Sequence, residues 1–382
     1  MENTKKKNKL NWKNYIGFII MLGIGFIGGN LLSVIGESRD PNYVNMSVEM
    51  FILREIIEIV SYIILVYVNI IIHEAGHLVF GLLSGYKFNS FRIGSYMWIK
   101  KEGRVQFKRF NLVGTGGQCL MSPPDKKDGK YPFALYNLGG SLLNLIVGLI
   151  SVVVYILLPS GGLVADIVLF NAFVGIAFAL INGIPLRFPG INNDGYNTYD
   201  ISRNNDALKA MWIQLKINEE ISKGVRIGSM EEEMFKMPSD DAVKNSLVAT
   251  IAVLNCNRLL DQHKFEESGN TISHLLNIES GVIGLHRKLL ICDQIYIELI
   301  TKNRKEVLDE LMSKEQIKFM KQMQSYPSVI RTQYAYTLLG EKDKDKAIEI
   351  KDIFERRAKS YPYEVEMIAE KELIEIADSV LE

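Results

Sequence analysis

Residues 71–80 read IIHEAGHLVF. Two histidines and a glutamate interrupt a run that is otherwise as apolar as a lipid tail. An ionisable side chain in such a run is costly, and it marks a functional site by default. His73 and His77 stand four positions apart, so on a helix they share one face. Two imidazoles placed in this way can hold one Zn²⁺. Glu74 projects about 100° away from His73 at ~3.6 residues per turn, so it can reach a water at the metal without ligating it. Zinc lowers the pKa of a bound water to ~7, and a carboxylate can then take the proton.

Working outward, four stretches reach the ~20 mostly apolar residues that a bilayer-crossing helix needs. They are 15–35, 59–82, 133–158 and 163–186, and the second contains the histidines. The first follows a basic tail, 1–14, with five lysines. Its apolar run exceeds the ~7–15 residues of a signal-peptide core, so it is expected to stay as an anchor. Positive charge in connecting segments sets orientation. The 37–50 segment carries only Arg39, the turn at 159–162 carries no charge, and the 85–132 loop is rich in Lys and Arg. This pattern expects a four-span cell-membrane protein with both termini cytoplasmic.

Lys and Arg total 44, as do Asp and Glu, so the net charge is zero and nothing favours a nucleic-acid partner. The mean hydropathy of +0.07 hides a split between an apolar first half and a charged second half. Cys119, Cys256 and Cys292 are odd in number and widely spaced, which argues against a disulfide framework and a zinc knuckle.

The 86–117 loop alternates apolar and polar residues around Lys101, Glu102 and Gly103, which predicts a cytoplasmic β-hairpin. It is read either as an edge strand for an extended substrate or as a structural loop. Beyond residue 200, helical periodicity predicts amphipathic helices at 241–260, 265–277, 286–300, 327–339 and 346–360. Residues 201–382 are thus expected to form a soluble α-helical domain. Its 326–362 stretch is similar to a tetratricopeptide hairpin, a module that binds a protein or peptide partner. The fold class expected is mainly α: a polytopic membrane bundle over 15–200, with this cytoplasmic helical domain after it.

A zinc hydrolase needs a third protein ligand and an open position. His263, His274 and His286 lie in the soluble part, and the remaining spans offer no suitable Glu. The best carboxylate is Asp194, in INGIPLRFPGINNDGYN at 181–197, after the fourth span. The second and fourth spans both run outside to inside, which places His73, His77 and Asp194 at similar depth.

These features together resemble the site-2 protease family of intramembrane zinc metalloproteases. The resemblance covers about residues 55–200. It rests on His73-Glu74-Ala75-Gly76-His77, on Asn182 and Pro185 followed by Asp194-Gly195, and on Gly140-Ser141-Leu142-Leu143-Asn144. Asp194 lies nine positions after Pro185 where the family has its Asp about five after, Asn193 stands where it has Leu or Met, and Ser141 replaces its Pro. The resemblance implies that His73, His77 and Asp194 hold Zn²⁺ and that Glu74 is the general base and acid. It implies a membrane-spanning protein or peptide as substrate, cut near the cytoplasmic face. Asn182 is placed either against substrate backbone or in a helix-end hydrogen bond, and Asn144 in a helix–helix hydrogen bond. The alternative from another class is an inactive scaffold that binds membrane segments and recruits partners through its helical tail. An intact Glu74 speaks against it.

Overall fold

A computed structural model describes residues 46–110, 116–158, 161–188 and 191–381, with Gly23, Gly25 and Gly28 before them. The basic tail and the 15–35 span lie outside the described residues, those three glycines apart. The molecule is mainly helical and divides into two compact units, Met1–Ser84 with Pro132–Asp200, and Gly85–Tyr131 with Ile201–Glu382.

In the first unit, three described helices are long and apolar enough to cross a membrane: α1 (Val48–Leu83), α2 (Ala134–Leu157) and α3 (Leu163–Gly183). Helix α1 starts eleven residues before the expected 59, because Ser47 caps it by accepting from the Met50 amide. Its added turns carry Arg54 and Glu58, and Arg54 pairs with both Glu58 (2.8 Å) and Asp166 of α3. The charges are thus paired inside the bundle, and the helix continues through them. At 36 residues α1 is about 54 Å long, more than the ~30 Å of bilayer hydrocarbon.

The bundle is apolar outside and polar inside. Ile56, Ile63, Ile64, Leu149, Ile150 and Val153 are exposed, while Asn69, Asn137, Ser141, Asn144 and Ser151 are buried. That inversion suits lipid, where polar groups must find partners within the protein. Small residues let the helices touch. A Cβ added at Gly76 would lie 2.2 Å from the Gly139 carbonyl oxygen, and one at Gly139 would lie 2.5 Å from that of Gly76.

After α3, a two-stranded ladder, β5 (Arg187–Phe188) with β6 (Ile191–Asn192), precedes α4 (Asp194–Arg203). The ladder accounts for the long gap between Pro185 and Asp194. Arg187 pairs with Asn192 and Phe188 with Ile191, which brings the chain back to Leu186, whose carbonyl accepts from the Asn193 amide at 3.4 Å.

The second unit opens with an antiparallel sheet of order β3-β2-β1-β4: β1 (Lys87–Ile93), β2 (Tyr96–Lys101), β3 (Arg104–Arg109) and β4 (Gly117–Ser122). The expected hairpin is its β2–β3 part, turning at Glu102 and Gly103 with φ of +48° and +79°, the pair of positive values a two-residue hairpin turn needs. Two further strands extend it, since Phe91 pairs with both Trp98 and Cys119. The helical part comprises α5 (Asn205–Ser222), α6 (Ser246–Asp261), α7 (Phe265–Asn277), α8 (Gly284–Thr301), α9 (Lys305–Leu311) and α10 (Lys314–Gln322). It continues with α11 (Pro327–Ala335), α12 (Lys344–Ala358) and α13 (Glu364–Ser379). Ile272, Leu275, Ile295, Tyr296, Val329 and Phe354 form its core. All three cysteines are buried.

Candidate metal centre

His73 and His77 lie one turn apart on α1, and Asp194 is the first residue of α4. The structure brings all three together. His73 Nε2 and His77 Nε2 stand 3.1 and 3.4 Å from Asp194 Oδ2, and 3.2 Å from each other. Both imidazoles are nearly buried, and the carboxylate is a little more open.

Each ring is fixed from behind. The Nδ1 of His77 lies 2.8 Å from the Tyr136 carbonyl oxygen, which can only accept. The Nδ1 of His73 lies 3.0 Å from Asn144 Oδ1. Asn144 in turn donates to the Asn69 backbone and side-chain oxygens, both at 3.1 Å. Asn69 donates to the Leu65 carbonyl at 3.0 Å and to Asn171 at 2.9 Å, Asn171 donates to Ser151 at 2.9 Å, and Ser151 donates to the Val147 carbonyl at 3.0 Å. Every donor in this series meets an acceptor, so the direction of the amides is set, and with it the His73 tautomer. Both rings carry their proton on Nδ1 and present a lone pair at Nε2. Hydrogen bonding at the far nitrogen is the usual means of orienting a metal-binding histidine.

Three acceptor atoms therefore converge, a repulsive grouping unless a cation sits among them. Their spacing fits zinc: bonds of ~2.0–2.1 Å in a tetrahedron set ligand atoms ~3.3 Å apart. A metal takes a carboxylate such as Asp194 in its ionised form.

The backbone is cut to fit. A Cβ at Gly140 would sit 2.5 Å from His73 Cε1. One at Gly195 would lie 2.3 Å from the Gly183 carbonyl oxygen, so the start of α4 is pressed against the end of α3. Glu74 is half-buried on α1, between the two histidines in sequence. The Asn182 amide donates to the Phe178 carbonyl of its own helix at 3.0 Å, the helix-end bond, and it is not part of the three-residue grouping. The sequence reading missed Asn69, Asn171 and Asn193. Lone asparagines carry no motif, and only their depth in an apolar run could have singled out the first two.

The model of peptidase family M50 matches residues 61–322, well over half of the chain. This protein belongs to peptidase family M50. The family is one of zinc-dependent membrane metalloproteases, which agrees with the apolar helices and with a donor set that could bind a metal. No curated protein and no solved structure matches the chain. Within this M50 chain the matched segment holds all three members of the grouping and Glu74.

Proposed function

We propose that this protein is an intramembrane zinc endopeptidase that hydrolyses peptide bonds of membrane-embedded or membrane-anchored substrates, in the manner of regulated intramembrane proteolysis. The observation that carries the reading is the convergence of His73, His77 and Asp194, each a lone-pair donor, inside a bundle with an apolar exterior. These residues would hold the zinc, which when bound polarises the scissile carbonyl and acidifies water. Glu74 takes a proton from the attacking water as its oxygen adds to the carbonyl carbon. It returns that proton to the amide nitrogen as the carbon–nitrogen bond breaks, leaving a carboxylic acid and an amine. One Asn182 amide hydrogen is used by Phe178, and we assign the other to a substrate carbonyl.

The topology is multi-pass, with 15–35 as the first of four spans and both termini cytoplasmic. A substrate helix hides its peptide bonds in its own hydrogen bonds, so it unwinds before cleavage, and water reaches the site from the cytoplasmic side. The tetratricopeptide-like helices, α11 and α12, serve a cytoplasmic protein or peptide. The test compares the membrane proteome of cells expressing wild type with that of cells expressing Glu74→Gln. Full-length single-span proteins that accumulate only with the variant, with their fragments present only in wild type, support the reading. Identical proteomes together with preserved capture of membrane segments would instead favour the scaffold.

A further inference from the structure

Asn193 does more than precede a ligand. Its side chain is 7% exposed and uses its full hydrogen-bonding capacity. Oδ1 accepts from the Leu186 amide at 3.1 Å and from the Tyr196 amide at 2.8 Å. Nδ2 donates to the carbonyls of Ile181 and Ile184, both at 2.6 Å.

Each bond answers a need that the sequence creates. The Ile181 carbonyl would ordinarily accept from the amide four residues on, but that residue is Pro185, which has no N–H. Helix α3 therefore ends with an orphan carbonyl in an apolar setting, where an unmet acceptor costs ~1–3 kcal/mol. Asn193 supplies the missing donor. The Tyr196 amide is one of the orphan donors at the start of α4, and Asn193 caps it. One side chain thus joins the last turn of α3 to the first turn of α4. Arg187 adds a second tie: its guanidinium lies 4.3 Å from the centre of the Tyr196 ring.

Asp194 is the next residue. It is the one member of the metal grouping that does not sit on α1, and it enters from a short helix behind a two-stranded turn. Its carboxylate can meet two imidazoles at 3.1 and 3.4 Å only if the start of α4 is held at a fixed place relative to the bundle. We infer that Asn193 is the positioning residue for the third metal ligand: it sets the Asp194 carboxylate by riveting α4 to the proline-broken end of α3. This inference rests on the zinc reading of the site.

The test measures zinc affinity by chelator competition in detergent, the absorption bands of the Co²⁺-substituted protein, and thermal melting of the metal-free protein. The proteins are wild type, Asn193→Leu and Asn193→Ser. Serine keeps a cap for α4 but cannot reach the Ile181 and Ile184 carbonyls. The inference expects Asn193→Leu to lose tenfold or more in zinc affinity, within the ~10–100-fold range for groups that orient ligands. It expects Asn193→Ser to lose several-fold and both Co²⁺ spectra to change. Should the leucine variant not fold, the serine variant decides alone. Wild-type affinity and spectrum in the folded variants, with only a lower melting temperature, would overturn the positioning role and leave the metal site standing. A folded wild type that takes up no zinc would overturn the metal reading, and this inference with it.

Discussion

Gly140→Ala puts a methyl group where the structure has an imidazole. The added carbon would lie 2.5, 2.6 and 2.7 Å from Cε1, Nδ1 and Nε2 of His73. Non-bonded heavy atoms settle at about 3.5 Å or more, so the ring must retreat by roughly 1 Å. Metal ligands tolerate about ±0.2 Å. The ring also cannot retreat without stretching its 3.0 Å bond to Asn144. The side chain can move more cheaply than the backbone, so the protein should fold and the ligand should be lost. The expected loss of zinc affinity exceeds the ~10–100-fold typical of a group behind the ligands. Gly148→Ala is the control. There an added Cβ meets Ile176 at 3.0 Å and the Ala172 carbonyl at 3.2 Å, between α2 and α3 and away from the histidines. It should cost ~1–3 kcal/mol of stability through overpacking and leave zinc affinity unchanged. Chelator competition and thermal melting of the two variants beside wild type make the comparison. Wild-type zinc affinity in a folded Gly140→Ala protein would refute the placement of His73 against α2.

Two further outcomes follow from the same geometry. Asn144→Leu removes the acceptor of the His73 Nδ1 proton, and it should weaken zinc by ~10–100-fold and shift the Co²⁺ bands; an unchanged spectrum would leave Asn144 as a link between helices only. In the second unit, Glu370 lies 3.4 Å from the buried Arg331, and burial pushes its carboxyl up to about 7 against the pull of that guanidinium. A folded-state value above the unfolded one means that stability falls as pH rises from about 4.5 to about 7, then levels off. Glu370→Gln mimics the protonated form, so it should be more stable than wild type at pH 8, by up to about 3 kcal/mol, with the advantage down to about 1 kcal/mol at pH 5 and gone by pH 4. A variant less stable at pH 8 would show that the charge on Glu370 is needed by Arg331.

Three of the four expected apolar spans and the spacing of His73 and His77 were readable because both are local signals: the length of an apolar run, and four-residue spacing on a helix. Helix α7 spans Phe265–Asn277, as the amphipathic pattern predicts, because Phe265, Ile272 and Leu275 all pack on one core. The early start of α1 was not readable. Residues 37–50 read as a polar connection, and only the pairing of Arg54 with Asp166, a residue more than a hundred positions away, shows why a charged turn stays helical in the bundle. The sheet was half legible, since Lys101, Glu102 and Gly103 announce their turn while β4 joins β1 across a long connection. Asp194 was read as the carboxylate in the segment after the last apolar run, and it groups with the two histidines. Asn193, Asn69 and Asn171 could not be singled out, because what they bond to is decided by the packing of α1, α2 and α3. Asn144 was read as a helix–helix bond; it makes that bond to Asn69 and also holds His73.

The central claim is that His73, His77 and Asp194 bind one zinc ion. Metal content of the detergent-purified full chain, wild type beside His73→Ala and Asp194→Ala, tests it most directly. The account predicts about one zinc per chain in wild type and a loss in both variants, with folding intact. Zinc retained in Asp194→Ala would contradict the assigned third ligand, and a folded wild type without zinc after reconstitution would contradict the account as a whole.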